Sequence, residues 1–183
     1  DWSESDLDTP ARRARAALIR GVYNDPVLQD PSIPVEDRAE AMLIRGELGP
    51  CIDLLADAPG IRAARLRAAA FEALGQFAKA GEALEPLVIR MQQRDATPAE
   101  LVEGVRGLII RARVLPQKEP AGGDFNRMLS ILTDVHQKRD RLFWPALIVE
   151  AELLYEKSNI RQAGDAAIQA LTLNPRCAAA YAI

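Results

Sequence analysis

Apolar residues along this chain recur at steps of three and four, in runs separated by short breaks of glycine, proline, aspartate and asparagine. That period belongs to helices with one buried face, and no stretch alternates in the manner of a strand. Thr9 before Pro10 is a cap and first-turn signature, so a helix is expected from Pro10 to about Tyr23. "NDPVLQDPSIP" then interrupts regular structure with three prolines. Val35, Ala39, Met42 and Leu43 mark the next helix, which Gly46 should end. Pro50 can start another. Further helices are expected over Ile61–Leu74, Ala78–Gln92, Pro98–Val114 with Thr97 as its cap, from the cap Asp124 to about His136, and over Pro145–Lys157 and Ile160–Leu173. Pro86 should kink or shorten the helix that contains it. "LPQKEPAGG" (115–123) is the clearest loop. The chain is therefore expected to be all-α, with about nine short helices.

The breaks themselves repeat. Ala39, Met42, Gly46, Leu48, Cys51 and Leu55 fall at successive steps of three, four, two, three and four. Ala68, Phe71, Gly75, Phe77, Ala80 and Leu84 follow the same steps, and so do Ala151, Leu154, Ser158, Ile160, Ala163 and Ala167. A weaker unit keeps only a later half, in Gly123, Phe125, Met128 and Leu132. Small residues such as Ala68 and Ala80 would let paired helices cross closely, with Phe71 and Phe77 filling the gap. On that geometry Ala80→Leu should overpack the crossing by about 1–3 kcal/mol.

This spacing resembles the tetratricopeptide repeat, a helix–turn–helix of about 34 residues. "ALIVEAELLYEKSNIRQAGDAAIQALTLNP" meets most of the pattern: small and large apolar residues in the first helix, alanine early in the second, proline at the exit. The steps between turn anchors, from Gly46 through Gly75 and Gly123 to Ser158, are 29, 48 and 35 residues, so only the last matches the family period. Ser158 also replaces the usual glycine. The resemblance implies an α-solenoid of antiparallel helix pairs wound as a right-handed superhelix. Its parts would be an acidic, flexible terminus over 1–9, a helix and Pro-rich loop over 10–31, and four units over 32–177. The third unit would carry an insertion near 115–123. Residues 178–183 read as the start of a further repeat, as though the chain were cut from a longer array.

Composition narrows the function. Net charge is −3 and hydrophobic residues make up 49% of the 183, which describes a soluble globular protein without the basic footprint of nucleic-acid binding. No apolar run reaches the length of a membrane span. Cytoplasmic placement is slightly favoured, with export after loss of a signal left open. Cys51 and Cys177 are widely spaced and read as two small buried residues rather than a disulfide or metal pair. His136 is the one histidine, so neither a zinc motif nor a triad can be assembled, and it reads as a surface residue or a partner of a helix C-terminus. Carboxylate pairs such as Glu150 with Glu152, and Glu36 with Glu40, read as solvated helix faces. Trp144 is expected to pack between the third and fourth units. No enzyme activity, cofactor or metal is implied.

What the resemblance does imply is a concave face lined by the first helix of each unit. The lining positions would be Glu36, Glu40 and Leu43; Arg62, Arg65, Ala69 and Glu72; and Ile148, Glu152 and Tyr155. Family members that grip a terminal carboxylate use lysine, arginine and asparagine there. Here Arg62 and Arg65 are the only echo, while Glu40 and Glu152 bring the wrong sign. A mixed groove is expected instead, holding a protein or peptide through an arginine anchor and Tyr155. As a solvent-facing residue, Arg65 should tolerate alanine with little loss of stability. Two alternatives stand beside this reading: a substrate-recruiting region of a larger enzyme, and a scaffold that self-associates through its terminal faces.

Overall fold

In the computed structural model the described residues are 9–93, 95–114 and 122–183. Among them the chain is all-helical, with no strand. The α-helices are α1 (Pro10–Ile19), α2 (Val35–Arg45), α3 (Leu48–Leu54), α4 (Ile61–Ala73), α5 (Phe77–Ala83), α6 (Glu85–Met91), α7 (Pro98–Val114), α8 (Gly122–Asp134), α9 (Trp144–Glu156) and α10 (Ile160–Leu173). Short 3-10 turns cover Pro26–Gln29 and Ala178–Ala182, and a π-helical turn, Val135–Arg139, continues α8. Only Leu84 separates α5 from α6, two residues before Pro86. Proline has no N–H to give the carbonyl four residues back, and its ring crowds that carbonyl. The expected Ala78–Gln92 helix is thereby split into two halves.

Local chemistry sets most helix ends. Thr9 Oγ1 accepts the Arg12 N–H at 3.3 Å. Ahead of α7, Thr97 Oγ1 accepts the Glu100 N–H at 3.3 Å while Glu100 Oε2 accepts the Thr97 N–H at 2.8 Å, a reciprocal capping box. At the other ends one motif recurs. Gly46, Gly75 and Ser158 take φ of 80°, 71° and 61°, the left-handed region that terminates a helix. Each donates to the carbonyl three residues back, and the following N–H reaches the carbonyl five back, as Gln76 does to Phe71 at 2.9 Å. Gly21 does the same after α1, so that helix stops at Ile19, short of the Tyr23 expected.

Gly123 does not share this role. It is the second residue of α8, so the third turn anchor is corrected: the sequence match there was to a helix start. The expected inserted loop lies outside the described residues at 115–121, as does the acidic terminus up to Asp8. Residues 178–182 form a 3-10 turn rather than the opening of an α-helix, and the exposed Tyr181 hydroxyl donates to the Pro175 carbonyl at 3.0 Å.

Packing follows chain order. α2 lies on α3, α4 on α5 and α6, α7 on α8, and α9 on α10; the first members also touch in sequence, α2 to α4 to α7 to α9. The core is correspondingly a succession of clusters. Ala39, Cys51, Leu55 and Leu66 join α2, α3 and α4; Ala68, Ala80, Leu87 and Ile110 join α4 through α7; Val105, Leu132 and Val149 join α7, α8 and α9. Ala68 and Ala80 are fully buried, as the crossing requires, while Phe77 is half-exposed and does not fill the gap. Each fully buried leucine contributes about 1.5–3 kcal/mol. Both cysteines are free and buried, and burial pushes the Cys51 thiol up to about 11. Trp144 packs with Leu147, Ile148, Ala170, Cys177 and Ala180 near the chain's end.

The two ends of this succession adjoin. A Cβ built on Gly21, just after α1, would stand 3.1 Å from the Ala178 Cβ.

Candidate functional site

Helices α2, α4, α7 and α9 each turn one side chain row toward a shared interior, and α1 and the segment after α10 complete its wall. The result is a chamber of about 430 Å³. Of the residues expected to line a concave face, Glu40, Arg65, Ala69, Glu72, Ile148 and Glu152 line it. Four do not. Leu43 packs in the cluster between α2 and α4, Glu36 sits half-buried in the first turn of α2, Tyr155 is 52% exposed elsewhere on α9, and Arg62 faces a neighbouring cleft.

The largest share comes from a helix to which no lining position was assigned. α7 supplies Val102, Glu103, Arg106, Ile109, Ile110 and Arg113. Positions 102, 106, 109 and 113 form one helical stripe, a signal present in the sequence. It went unread because this helix lacks the repeat's small and aromatic anchors. Arg15 and Tyr23 beside α2, Trp144 and Glu156 were likewise not anticipated. They arrive from segments that only the tertiary arrangement brings together.

The chamber is lined by four arginines and five glutamates, and they are paired. Arg65 Nε donates to Glu103 Oε2 at 2.8 Å, and its Nη2 stands 3.9 Å from Glu40 Oε1. Arg113 lies 3.5 Å from Glu72 and also contacts Glu156; Arg106 is 3.8 Å from Glu152. Glu40 additionally meets Arg62, which binds Asp37 at 2.7 Å, and Arg15 reaches Asp37 at 3.3 Å. Arg65 is 7% exposed, against the sequence expectation of a solvent-facing residue. The reason is that α7 covers this face of α4 and places Glu103 opposite.

Burial and pairing pull against each other here. Burial raises the Glu40 carboxyl, but Arg65 and Arg62 outweigh it and hold the group at about 2. For Glu152 burial wins over Arg106 and Arg65, and its pKa is raised. Burial opposes the Arg106 charge, yet Glu152, Glu103 and Glu40 raise its pKa. Two groups inside keep donor capacity: Arg65 Nη2 and Arg106 Nε are buried without a hydrogen-bond partner among the described residues. Such donors are costly unless something accepts from them.

His136 and Glu150 form a separate pair, Nε2 to Oε2 at 2.8 Å, and neither lines the chamber. Among the described residues no three histidine, cysteine or carboxylate side chains gather as a metal set would. No helix of the described residues is long and apolar enough to cross a membrane. The chain matches no family model, and neither the curated proteins nor the solved structures contain a match to it.

Proposed function

We propose that this chain is a non-catalytic helical-repeat module, a tetratricopeptide-like solenoid wound tightly enough for its ends to adjoin, that holds a segment of a partner protein in its inner chamber. One observation supports this above the rest. Successive helices contribute arginine–glutamate pairs and apolar side chains, Tyr23, Ile109, Trp144 and Ile148 among them, to a single concavity. Its size falls in the range for small ligands, so a short extended stretch of peptide fits better than a helix. The donors at Arg65 and Arg106 suit backbone carbonyls or an acidic side chain of the guest.

The test compares proteins captured from an extract by the intact chain and by an Arg113→Glu variant combined with Ile109→Asp. Capture that survives both changes places binding elsewhere and refutes the reading; selective loss of one partner supports it. Thermal melts of the variant establish that it is folded.

A second reading, self-association, draws on α10. Its inner face buries Ala163, Ala166, Ala167 and Ala170, yet Ile160 and Ile168 on the other side are 57% and 64% exposed. Mass in solution at two concentrations, with and without Ile168→Glu, decides it. A strict monomer throughout removes this reading.

A further inference from the structure

The inner chamber answers its charges by pairing. Arg65 stands beside Glu103 and Glu40, Arg106 beside Glu152, and Arg113 between Glu72 and Glu156, while Arg15 is held by Asp37. A charged guest of either sign therefore enters beside charges of its own sign, and gives up its hydration to do so. Hydrogen bonding is less evenly served. Arg65 is 7% exposed, yet its Nη2 has no hydrogen-bond partner among the described residues, and neither has the buried Nε of Arg106. Glu152 stands 3.8 Å from Arg106, beyond hydrogen-bond length.

These open positions share one region of the wall, where α4 brings Arg65, α7 brings Arg106 and α9 brings Glu152. Glu152 feels both arginines, and burial nonetheless raises its pKa. A group that fills the region needs an oxygen for the two guanidinium donors, a proton for Glu152, and no net charge. A carboxylate would accept from the arginines but add negative charge beside Glu40, Glu103 and Glu152. An ammonium only donates, which leaves both arginine atoms without an acceptor. A hydroxyl places its proton and lone pairs on one atom, so it cannot face the two sides from separate points. A carboxamide can: its oxygen accepts and its nitrogen donates, from opposite corners of one neutral plane. Val102, Ile109 and Ile148 supply apolar wall for its methylene stem.

We propose that the chamber selects a carboxamide side chain, glutamine or asparagine, on the guest segment, with its oxygen toward Arg65 and Arg106 and its NH2 toward Glu152. This rests on the chamber's role as a peptide site, and it decides between the carbonyl and the acidic side chain that the two arginine donors suit. Glutamate has the shape of glutamine but turns a donor into an acceptor at Glu152. It is rejected because two acceptors then face each other out of water, a mismatch that costs more than a missing bond. The chamber thus reads hydrogen-bond direction rather than charge.

The probe is a random library of acetylated hexapeptides closed as N-methylamides, so that no terminal charge competes. It is passed over the immobilised full chain and over Ala69→Trp, which fills the chamber from α4. Should melts show that variant unfolded, the Arg113→Glu, Ile109→Asp variant takes its place. Peptides held by the intact chain alone should be enriched in glutamine or asparagine at one position. In a retained peptide, glutamate for that glutamine should weaken binding at least tenfold, and so should lysine. Glu152→Met should weaken the glutamine peptide and narrow its lead over the glutamate peptide, because the repelling acceptor is gone; a merely structural change would lower both alike. Enrichment in acidic, basic or hydroxyl side chains, or no side-chain preference among peptides held only by the intact chain, overturns the carboxamide and leaves the chamber a peptide site. Equal retention by the intact and filled chains overturns both.

Discussion

Arg65 carries the sharpest consequence at the scale of single residues. Its charge is almost wholly withdrawn from water and bonded to Glu103, so truncation leaves a half-buried carboxylate without its donor. Arg65→Ala should cost about 1.5–3 kcal/mol, read as a drop in melting temperature. Glu103→Ala should cost a similar amount, and the double variant less than the sum, since each single change strands the other partner. Strict additivity would mean that the pair does not form in solution. Glu40 predicts a pH effect. Its folded carboxyl titrates near 2, below the ordinary 4.5, so on acidification the unfolded chain takes up the proton first. The stability this group contributes is complete above about pH 4.5 and disappears as pH falls toward 2. Glu40→Gln should therefore be less stable at neutral pH and show a shallower loss across that window in denaturant titrations. An unchanged slope would place Glu40 outside the arginine network.

At the scale of elements, the turn that joins paired helices is one chemical device used with two residue types. Gly75 adopts its left-handed conformation without penalty, and a Cβ there would touch nothing within 4 Å, so Gly75→Ala isolates the backbone cost at about 1–2 kcal/mol. Ser158 already carries that cost. Ser158→Gly should stabilise the chain by about 0.5–1 kcal/mol, measurable as a raised melting temperature. A fall would mean that the Ser158 side chain has a compensating bond in solution. The same comparison shows why three of the four anchors were legible and one was not. Gly46, Gly75 and Ser158 follow an apolar helix and precede a small–apolar pair, so their neighbours report the turn. Gly123 has the downstream half of that pattern only, and glycine is also accepted near a helix start. Element boundaries were readable for the same reason wherever a cap or proline stood at the edge, as at Pro10 and Pro98.

For the whole molecule, the decisive feature is the meeting of first and last elements. It predicts an energetic coupling between positions 157 residues apart in sequence, Gly21 and Ala178. Gly21→Ala places a methyl against the Ala178 methyl and also strains a backbone at φ 74°. Ala178→Gly removes the steric part alone. The double-mutant cycle should show a favourable coupling of about 0.5–1 kcal/mol, measured by denaturant unfolding. Zero coupling would mean that the ends stand apart in solution.

What the sequence by itself determined is local: helical period, caps, the left-handed turns and the split at Pro86. These depend on neighbours within a few residues, which a linear pattern contains. What only the tertiary structure decided is which helix faces look at each other. The inward stripe of α7, the burial of Arg65 under it, and the nearness of Gly21 to Ala178 arise from contacts between helices far apart in sequence. No single segment encodes those contacts, so the chamber is visible only in the folded chain.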